Sequence, residues 1–324
     1  MHTPASSASL LAAMETNFVT HVAWLPARLP GARVLDGPDL LLVDSGLATD
    51  TFNVVCRARF RPAEVHRRAV ETCRYFEQVG RPFAWWVGPL DQPAALGAAL
   101  RLAGLVADET EEAMVADLGP VPAAPPMPAG LRIERVRQPA GVRDYAAVVA
   151  ANWSPADPWV LAYYAAASGP LLTSESPCHL YVGYLAERPV AAAELCLSAP
   201  IAGVYGVCTL AAVRGRGVAS ALVAQVLLDA RTAGAAVATL QASAQGQSVY
   251  QRLGFRALGQ YTEFKPPAHW APSGSGATLP RSVFTCCTAQ RGLTWPQHLH
   301  DQDRCRSSVQ AEAEAILKRT HGNC

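Results

Sequence analysis

One stretch in the second half of the chain passes from an apolar strand pattern through a glycine turn directly into a helix pattern. The strand is predicted over 201–210, the turn is Arg214–Gly217, and Val218 and Ala219 begin the helix. Glycines in the turn let backbone N–H groups converge without a Cβ in the way. The helix N-terminus adds unpaired donors and the positive end of its dipole. The sequence therefore predicts an anion cradle suited to a pyrophosphate.

The residues around the turn indicate which kind of phosphate site this is. A dinucleotide-binding fingerprint needs a third glycine and an acidic residue about 20 positions on. Here Ser220 stands at the third-glycine position, and residues 235–239 contain no acid. No Gly-Lys-Ser/Thr triplet follows the turn either. The pattern R-x-x-G-x-A, spelled by 214–219, resembles the acetyl-CoA loop of the GCN5-related N-acetyltransferases, the GNAT superfamily.

The elements on both sides of the turn extend the resemblance to about residues 130–266. Downstream we predict a helix, a strand, a helix that carries Tyr250, the pair Gly254-Phe255 and a last strand. Upstream, three apolar runs separated by short turns read as an antiparallel meander. The predicted elements of this region, in chain order, are strands 180–186, 190–197 and 201–210, helix 219–233, strand 236–242 and strand 257–264.

A proline-rich segment divides the chain of 324 residues, a length for which two domains are the usual expectation. Residues 119–129 are expected to form a semi-rigid extended linker between an N-terminal domain, 1–118, and a catalytic domain, 130–267. The remaining residues, 268–324, are predicted to form a C-terminal tail that is poorly ordered.

The N-terminal domain repeats part of the catalytic one. A helix ending in Gly104-Leu105 matches the helix ending in Gly254-Phe255, and counting back four residues places Leu100 where the second half has Tyr250. No glycine pair stands before the first-half helix at 61–80. The resemblance implies an α/β (α+β) fold with two GNAT-like domains, each a mixed, mostly antiparallel sheet flanked by helices, the first degenerate. Chance similarity of two α/β segments is the alternative.

Composition narrows the classes of partner and the cellular setting. The net charge is +1, so no strong field favours nucleic acid or an anionic membrane surface. No apolar run is long enough to span a membrane. The nine cysteines are an odd number and scattered, and Cys196 and Cys208 fall inside strand patterns. We therefore expect a reduced, cytoplasmic location, with no nucleic-acid or membrane partner.

Acyl transfer from a thioester needs a neutral amine, stabilisation of the oxyanion and a proton for the departing thiolate. The resemblance implies that Tyr250 supplies that proton; a core tyrosine is the alternative. In the family the strand before the cradle hydrogen-bonds pantetheine, and Ser243 stands where an asparagine often touches the cofactor. The residues thus assigned to acetyl-CoA are Cys208, Thr209, Leu210, Arg214, Gly215, Arg216, Gly217, Val218, Ala219 and Ser243.

The general base is the least determined part of the site. Glu194 lies in the middle of a strand pattern, an unusual place for a charge unless it faces a cleft, and its pKa would rise there by burial. A solvent-facing or arginine-paired glutamate is the alternative. Glu263 is the second candidate, a water chain a third, and His179 and His269 have no supporting neighbours.

Aromatic residues after the first helix of the catalytic domain are expected to form the acceptor wall, as they do in the family. Trp153, Trp159 and Tyr163, with Tyr164 and Asp157, suit a cationic amine, although some of the aromatics are equally suited to the core.

The sequence thus predicts an N-acetyltransferase that moves the acetyl group of acetyl-CoA to a primary amine of a small molecule or peptide. The alternative is a non-catalytic acyl-CoA sensor. No metal is expected. A zinc site in the tail would lack C-x₂-C spacing; its possible ligands are Cys286, Cys287, His298, His300 and Cys305.

Overall fold

The structure, a computed structural model, describes residues 6–119 and 125–267. The helices in these residues are α1 (Ser7–Trp24), α2 (Val65–Val79), α3 (Leu96–Leu102), α4 (Pro139–Ala150), α5 (Pro158–Leu171), α6 (Val218–Thr232) and α7 (Gln247–Arg252). The strands are β1 (Arg33–Asp36), β2 (Leu41–Asp44), β3 (Val54–Cys56), β4 (Ala84–Val87), β5 (Val106–Asp117), β6 (Leu131–Arg135), β7 (Cys178–Leu185), β8 (Arg188–Ser198), β9 (Ile201–Thr209), β10 (Val237–Ala242) and β11 (Arg256–Lys265). The meander, the cradle helix and the two strands after it confirm the sequence prediction to within about two residues at each end.

The described strands form one sheet of eleven, in the order β1-β2-β3-β4-β11-β5-β10-β9-β8-β7-β6. Most neighbouring strands are antiparallel, whereas β3–β4 and β9–β10 are parallel. Each parallel pair is joined by a helical crossover, α2 in the first half and α6 in the second. This mixed, mostly antiparallel arrangement confirms the predicted fold class.

The last strand of each half lies in the sheet of the other half. β5, from the first half, pairs through residues 112–117 with the whole of β10 of the second half. β11, from the second half, pairs with β4 of the first half, and β5 and β11 pair with each other at the centre. The two halves therefore share one continuous set of backbone hydrogen bonds. The domain boundaries proposed from the sequence stay a prediction.

Side chains alternate between the two faces of this sheet and so divide the core into three clusters. Ala113 and Val115 on β5 face a large cluster under α1, α4 and α5, which both halves share. Met114 and Ala116 on the same strand face a second cluster under α6 and α7. A third cluster lies on that opposite face under α2 and α3 of the first half. Because side chains alternate along each strand, one face of the sheet carries a single helix layer that both halves share. The opposite face carries two separate helix layers, one over each half.

The end of α3 and the end of α7 have the same hydrogen bonds. Leu105 N–H donates to the Leu100 carbonyl at 3.0 Å, and Phe255 N–H donates to the Tyr250 carbonyl at 3.0 Å. Gly104 and Gly254 take φ of 93° and 90°, a left-handed conformation that favours glycine. The repeat inferred from the sequence is therefore present in the structure, with leucine in the first copy where the second has tyrosine.

Two predictions fall partly or wholly outside the described residues. Residues 120–124 of the linker and 268–324 of the tail are not described, so the proposed tail, with His269 and the cysteines and histidines considered for zinc, lies there. Within residues 6–119 and 125–267, no helix is long and apolar enough to cross a membrane.

Candidate active site

An opening between β9 and β10 is the central feature of the second half. The two parallel strands pair only over Ile201–Gly203 and Val237–Thr239, and in the described chain no later residues of these strands pair with each other. A bulge lies in β9 just beyond that point, where Gly206 and Val207 together face Ala193 of β8. Gly206 has φ of 57°, which a glycine adopts without strain. The bulge bends β9 away from β10, so the strands separate toward their C-terminal ends.

Backbone groups at the end of β9 point alternately to the two edges of the strand. The N–H of Leu210 donates to the Val190 carbonyl at 2.9 Å, so it is already used within the sheet. Because successive peptide groups face opposite edges, those of Thr209 are turned toward the opening. Thr209 Oγ1 and Gln241 Nε2 are buried, and neither has a hydrogen-bond partner among the described residues. Alternation along the strands puts these two side chains on opposite faces of the sheet, and a buried polar atom of this kind suits a polar ligand.

The glycine turn lies at the wide end of the opening. The Arg214 guanidinium folds back and donates through Nε to the Thr209 carbonyl at 2.9 Å, which ties the turn to β9. Gly215 and Gly217 have φ of 75° and 78°, and a Cβ built on Gly215 would meet nothing within 4 Å. Gly217 is the N-cap of α6 and has no side chain with which to cap the first turn. Val218 and Ala219 therefore begin a helix whose first N–H groups have no side-chain cap and suit an anion.

Tyr250 and Ser243 lie beyond the end of β10. Tyr250 is buried in α7 and packs edge-to-face against Phe255 at a centroid distance of 5.9 Å. Gly246 makes this possible, because a Cβ there would lie 2.8 Å from the tyrosine ring. The carbonyl of Ser243 accepts the N–H groups of Gly246 and Gln247 and so starts the helix. Both residues thus follow the strand that borders the opening, and their roles toward a ligand stay predictions.

Glu194 is buried on β8 and forms an ion pair with a residue of the first helix. Its Oε1 lies 2.9 Å from His21 Nδ1. The His21 ring also stacks on Tyr205 at 3.8 Å and 6°. Burial by itself would lower the pKa of His21, but the Glu194 carboxylate and the Cys178 thiol raise it to about 9. Both sequence alternatives for Glu194, a solvent-facing glutamate and an arginine pair, are therefore wrong.

A pocket on the shared face of the sheet is lined by this ion pair. It has about 700 Å³ of empty space, its solvent-facing mouth included. Gly206 lines it, so the pocket reaches the bulge that opens β9 from β10. Its other walls come from α1, α4, α5 and the loop before β3, and the aromatic members are Phe52, Tyr145, Tyr163 and Tyr164. A molecule in this pocket would lie against Glu194 and beside the opening.

The residues predicted for the acceptor occupy different positions. Tyr163 lines the pocket, whereas Trp153 packs, partly buried, against the same core cluster. Trp159 lies in the first turn of α5, and its N–H donates to the Asp157 carboxylate at 2.8 Å. Asp157 is therefore the N-cap of α5.

The other base candidates lie away from the pocket lining. Glu263 is buried on β11 with its Oε2 3.0 Å from Lys265 Nζ, and burial raises its pKa to about 8. His179 lies on β7, where burial and Arg135 lower its pKa to about 4.

Sequence reasoning missed His21, Phe52 and Tyr145, which line the pocket from elements distant in the chain. No local pattern marks them, because they come together only through packing. Gly206 was detectable, since an isolated glycine inside a strand pattern suggests a bulge. No group of three or more metal-ligating side chains occurs in the part of the chain that the structure describes.

The corresponding opening in the first half is closed. Beyond the paired residues of β3 and β4, Arg59 and Gln92 form an isolated parallel β-bridge. Phe60 N–H donates to the Gln92 carbonyl at 3.0 Å, and Gln92 N–H donates to the Ala58 carbonyl at 2.9 Å. These bonds fill the place that stays open between β9 and β10.

Comparisons with known proteins agree with this geometry. Residues 181–264 match the family model described as FR47-like protein, and no curated protein matches the sequence. A GCN5-related N-acetyltransferase from Kribbella flavida is 18% identical with a TM-score of 0.61, over 79% of this chain and 95% of that one. A GCN5-related N-acetyltransferase from Sphaerobacter thermophilus is 16% identical with a TM-score of 0.52, over 71% and 81%. A tandem GNAT protein from the clavulanic acid biosynthesis pathway is 11% identical with a TM-score of 0.51, over 81% and 97%. These solved proteins share the fold of this chain.

Proposed function

We propose that this chain, whose fold is that of the tandem GCN5-related N-acetyltransferases, transfers the acetyl group of acetyl-CoA to a primary amine. The observation that carries the proposal is the opening between β9 and β10, which ends at an uncapped glycine turn and helix. The corresponding place in the first half is closed, so this opening is a feature of one half only.

The residues at the opening fit the parts of acetyl-CoA. The turn of Gly215 and Gly217 and the first N–H groups of α6 would hold the pyrophosphate. The main-chain N–H of Thr209, turned toward the opening, and the unpartnered Oγ1 and Nε2 atoms of Thr209 and Gln241 suit the amides of pantetheine. Cys208 and Leu210 flank Thr209, and Ser243 follows β10 on the other side of the opening.

Acetyl-CoA supplies an acetyl thioester, and the chain supplies proton transfer and positioning. The Glu194 carboxylate, bonded to His21 through Oε1, takes the proton from the incoming ammonium, so that the amine is neutral when it attacks. The Tyr250 hydroxyl delivers a proton to the departing sulfur. The acceptor lies in the pocket lined by Tyr163, next to the bulge at Gly206.

We further propose a cytoplasmic location and a small-molecule or peptide amine as the partner. The cysteines of the described residues are all free and buried, which fits a reducing compartment.

The proposal is tested by titrating acetyl-CoA into the full chain and by following thiol release with a panel of amines. Gly217→Glu is expected to weaken acetyl-CoA binding by roughly tenfold or more, that is by at least about 1.4 kcal/mol, because the added carboxylate would fill the cradle and repel phosphate. Gly234→Glu is the matched control. It also has a positive φ, 91°, but it lies at the other end of α6, where a Cβ would meet nothing within 4 Å.

Equal weakening by the two variants would overturn the cradle assignment. Tight acetyl-CoA binding without thiol release toward any amine would leave the sensor function in place of the enzyme.

A further inference from the structure

The pocket beside Glu194 is completed by a loop of the first half. Thr51, Phe52 and Val54 line it together with side chains of the second half. The structure therefore assigns to the first half, which has no open cofactor site of its own, a part in the acceptor site of the second.

Buried hydrogen bonds of Asn53 hold this loop in place. Asn53 Oδ1 accepts the N–H and the hydroxyl of Ser45, both at 2.8 Å. Asn53 Nδ2 donates to the carbonyls of Leu47 and Pro82, both at 2.8 Å. Phe52 directly precedes Asn53 in the chain and is consequently fixed in position against the pocket.

Phe52 gives the pocket a flat aromatic wall. Its ring stacks on Tyr163 at a centroid distance of 3.7 Å and an angle of 8°. Tyr164 stands perpendicular to both rings, at 82° to Phe52 and 90° to Tyr163. Val22, Leu25 and Val149 continue the surface, so the walls are apolar and shaped by planar groups.

Most polar groups of the pocket already have a partner within the protein, and the hydroxyl of Thr51 accepts that of Thr49 at 3.1 Å. His21 and Glu194 are the charged residues among those that the structure describes in the lining, and they form one ion pair. The hydroxyls of Tyr145 and Tyr164 are hydrogen-bonded together. A ligand with several charges or hydroxyls would lose its water here and find few partners in exchange.

We propose that the acceptor is a primary amine on a single aromatic or similarly flat apolar body, with Phe52 as a specificity-determining residue. The ring lies against the wall of Phe52, Tyr163 and Tyr164, and the amino group is directed toward Glu194. This inference rests on the proposed transferase function and adds to it the class of the acceptor.

The test compares three amines on the full chain at saturating acetyl-CoA: 2-phenylethylamine, 1,4-diaminobutane and glucosamine. We expect kcat/KM for 2-phenylethylamine to exceed that for each of the others by roughly tenfold or more, since they carry a second charge or several hydroxyls into the pocket. Binding of 2-phenylethylamine is measured separately by calorimetry, without acetyl-CoA, so that the pocket is tested apart from turnover.

Variants of Phe52 test whether the preference for an aromatic amine comes from the first half. Phe52→Ala is expected to lower kcat/KM for 2-phenylethylamine and its affinity by about tenfold, with the KM for acetyl-CoA unchanged. Phe52→Leu, which keeps an apolar side chain but loses the flat ring, is expected to have an intermediate effect. Leu35→Ala, at a side chain 51% exposed on β1 of the same half, is the matched control and should behave as the parent.

The outcomes separate the two proposals. Binding of 2-phenylethylamine that Phe52→Ala weakens, with no transfer to any amine, would support the pocket and overturn the transferase. Transfer to 1,4-diaminobutane or glucosamine as efficient as to 2-phenylethylamine, or unchanged kinetics and affinity in folded Phe52 variants, would overturn the inference and leave the transferase standing. Absence of both binding and transfer for 2-phenylethylamine would overturn the inference as well.

Discussion

Leu100 and Tyr250 occupy the same position in two copies of one turn. In each copy the carbonyl of this leucine or tyrosine accepts the N–H of the residue five positions later. The residue just before that N–H is a glycine of positive φ. Both side chains are buried. The backbone therefore accepts either residue, and packing alone does not require the hydroxyl of Tyr250, which is consistent with a chemical role for it.

Tyr250→Phe tests that role. The variant is expected to lower kcat on the order of 10²-fold while acetyl-CoA binds nearly as before, because a positioned acid acts mainly in the transition state. Tyr181→Phe is the matched control: Tyr181 is buried in the same cluster, but its hydroxyl donates to Asp229. Parent-like turnover of Tyr250→Phe under conditions where chemistry limits the rate would make Tyr250 a structural residue.

The His21–Glu194 pair joins the two halves through a buried contact between α1 and β8. The pKa of His21 is raised from 6.5 to about 9 in the folded chain. The folded state therefore binds a proton that the unfolded state has released, and the stabilisation is present below pH 6.5 and lost as the pH rises through 9.

We expect this pair to make the free energy of unfolding fall by about 3 kcal/mol between pH 6.5 and 9.5, in excess of the change in His21→Gln. Urea unfolding of parent and variant at several pH values measures the difference. His66→Gln, at an exposed histidine of α2, is the control and should follow the parent. Parallel pH curves for the parent and His21→Gln would contradict the pairing.

At the scale of elements, α2 and α6 are equivalent crossover helices with different N-terminal caps. The N-cap of α6 is Gly217, in a left-handed conformation. The N-cap of α2 is Glu64, which has φ of −106° and carries a carboxylate that would repel an anion. The Arg59–Gln92 bridge then closes the space between β3 and β4. The first half has therefore kept the crossover but not the features that would hold a phosphate.

We expect one acetyl-CoA per chain at saturation. The physical reason is that a second molecule would have to break the bridge and face Glu64. Calorimetric stoichiometry on the full chain measures this number, and Gly217→Glu should then bind none with comparable affinity. Two equivalents per chain, or residual binding in Gly217→Glu at the parent affinity, would show that the first half is open to the ligand.

At the scale of the whole molecule, exchange of the last strands makes the two halves depend on each other. Without β5, β10 would lose the partner that covers its outer edge, and without β11 the edge of β4 would be exposed. Exposed edges of apolar central strands are prone to aggregate. α1 adds a further link, since Asn17 Nδ2 donates to the Cys196 carbonyl at 2.9 Å across the halves.

The two halves expressed separately, as 1–119 and 125–324, are expected to be unfolded or aggregated, whereas co-expression should yield a stoichiometric folded complex. Size-exclusion chromatography and circular dichroism distinguish these states. A full chain cleaved once within 120–124 should remain associated and serves as the control for the cut itself. Independent, monomeric folding of 1–119 would contradict the dependence inferred from strand exchange.

The sequence by itself determined the features that depend on local order along the chain. Periodicity placed the meander, α6 and β10, and the glycines of positive φ at 215, 217 and 254 were readable because only glycine adopts that backbone freely. Tertiary structure alone decided which elements meet. Strand exchange and the placing of His21 and Phe52 beside Glu194 depend on contacts between residues more than a hundred positions apart, and such contacts leave no periodic signal in the sequence.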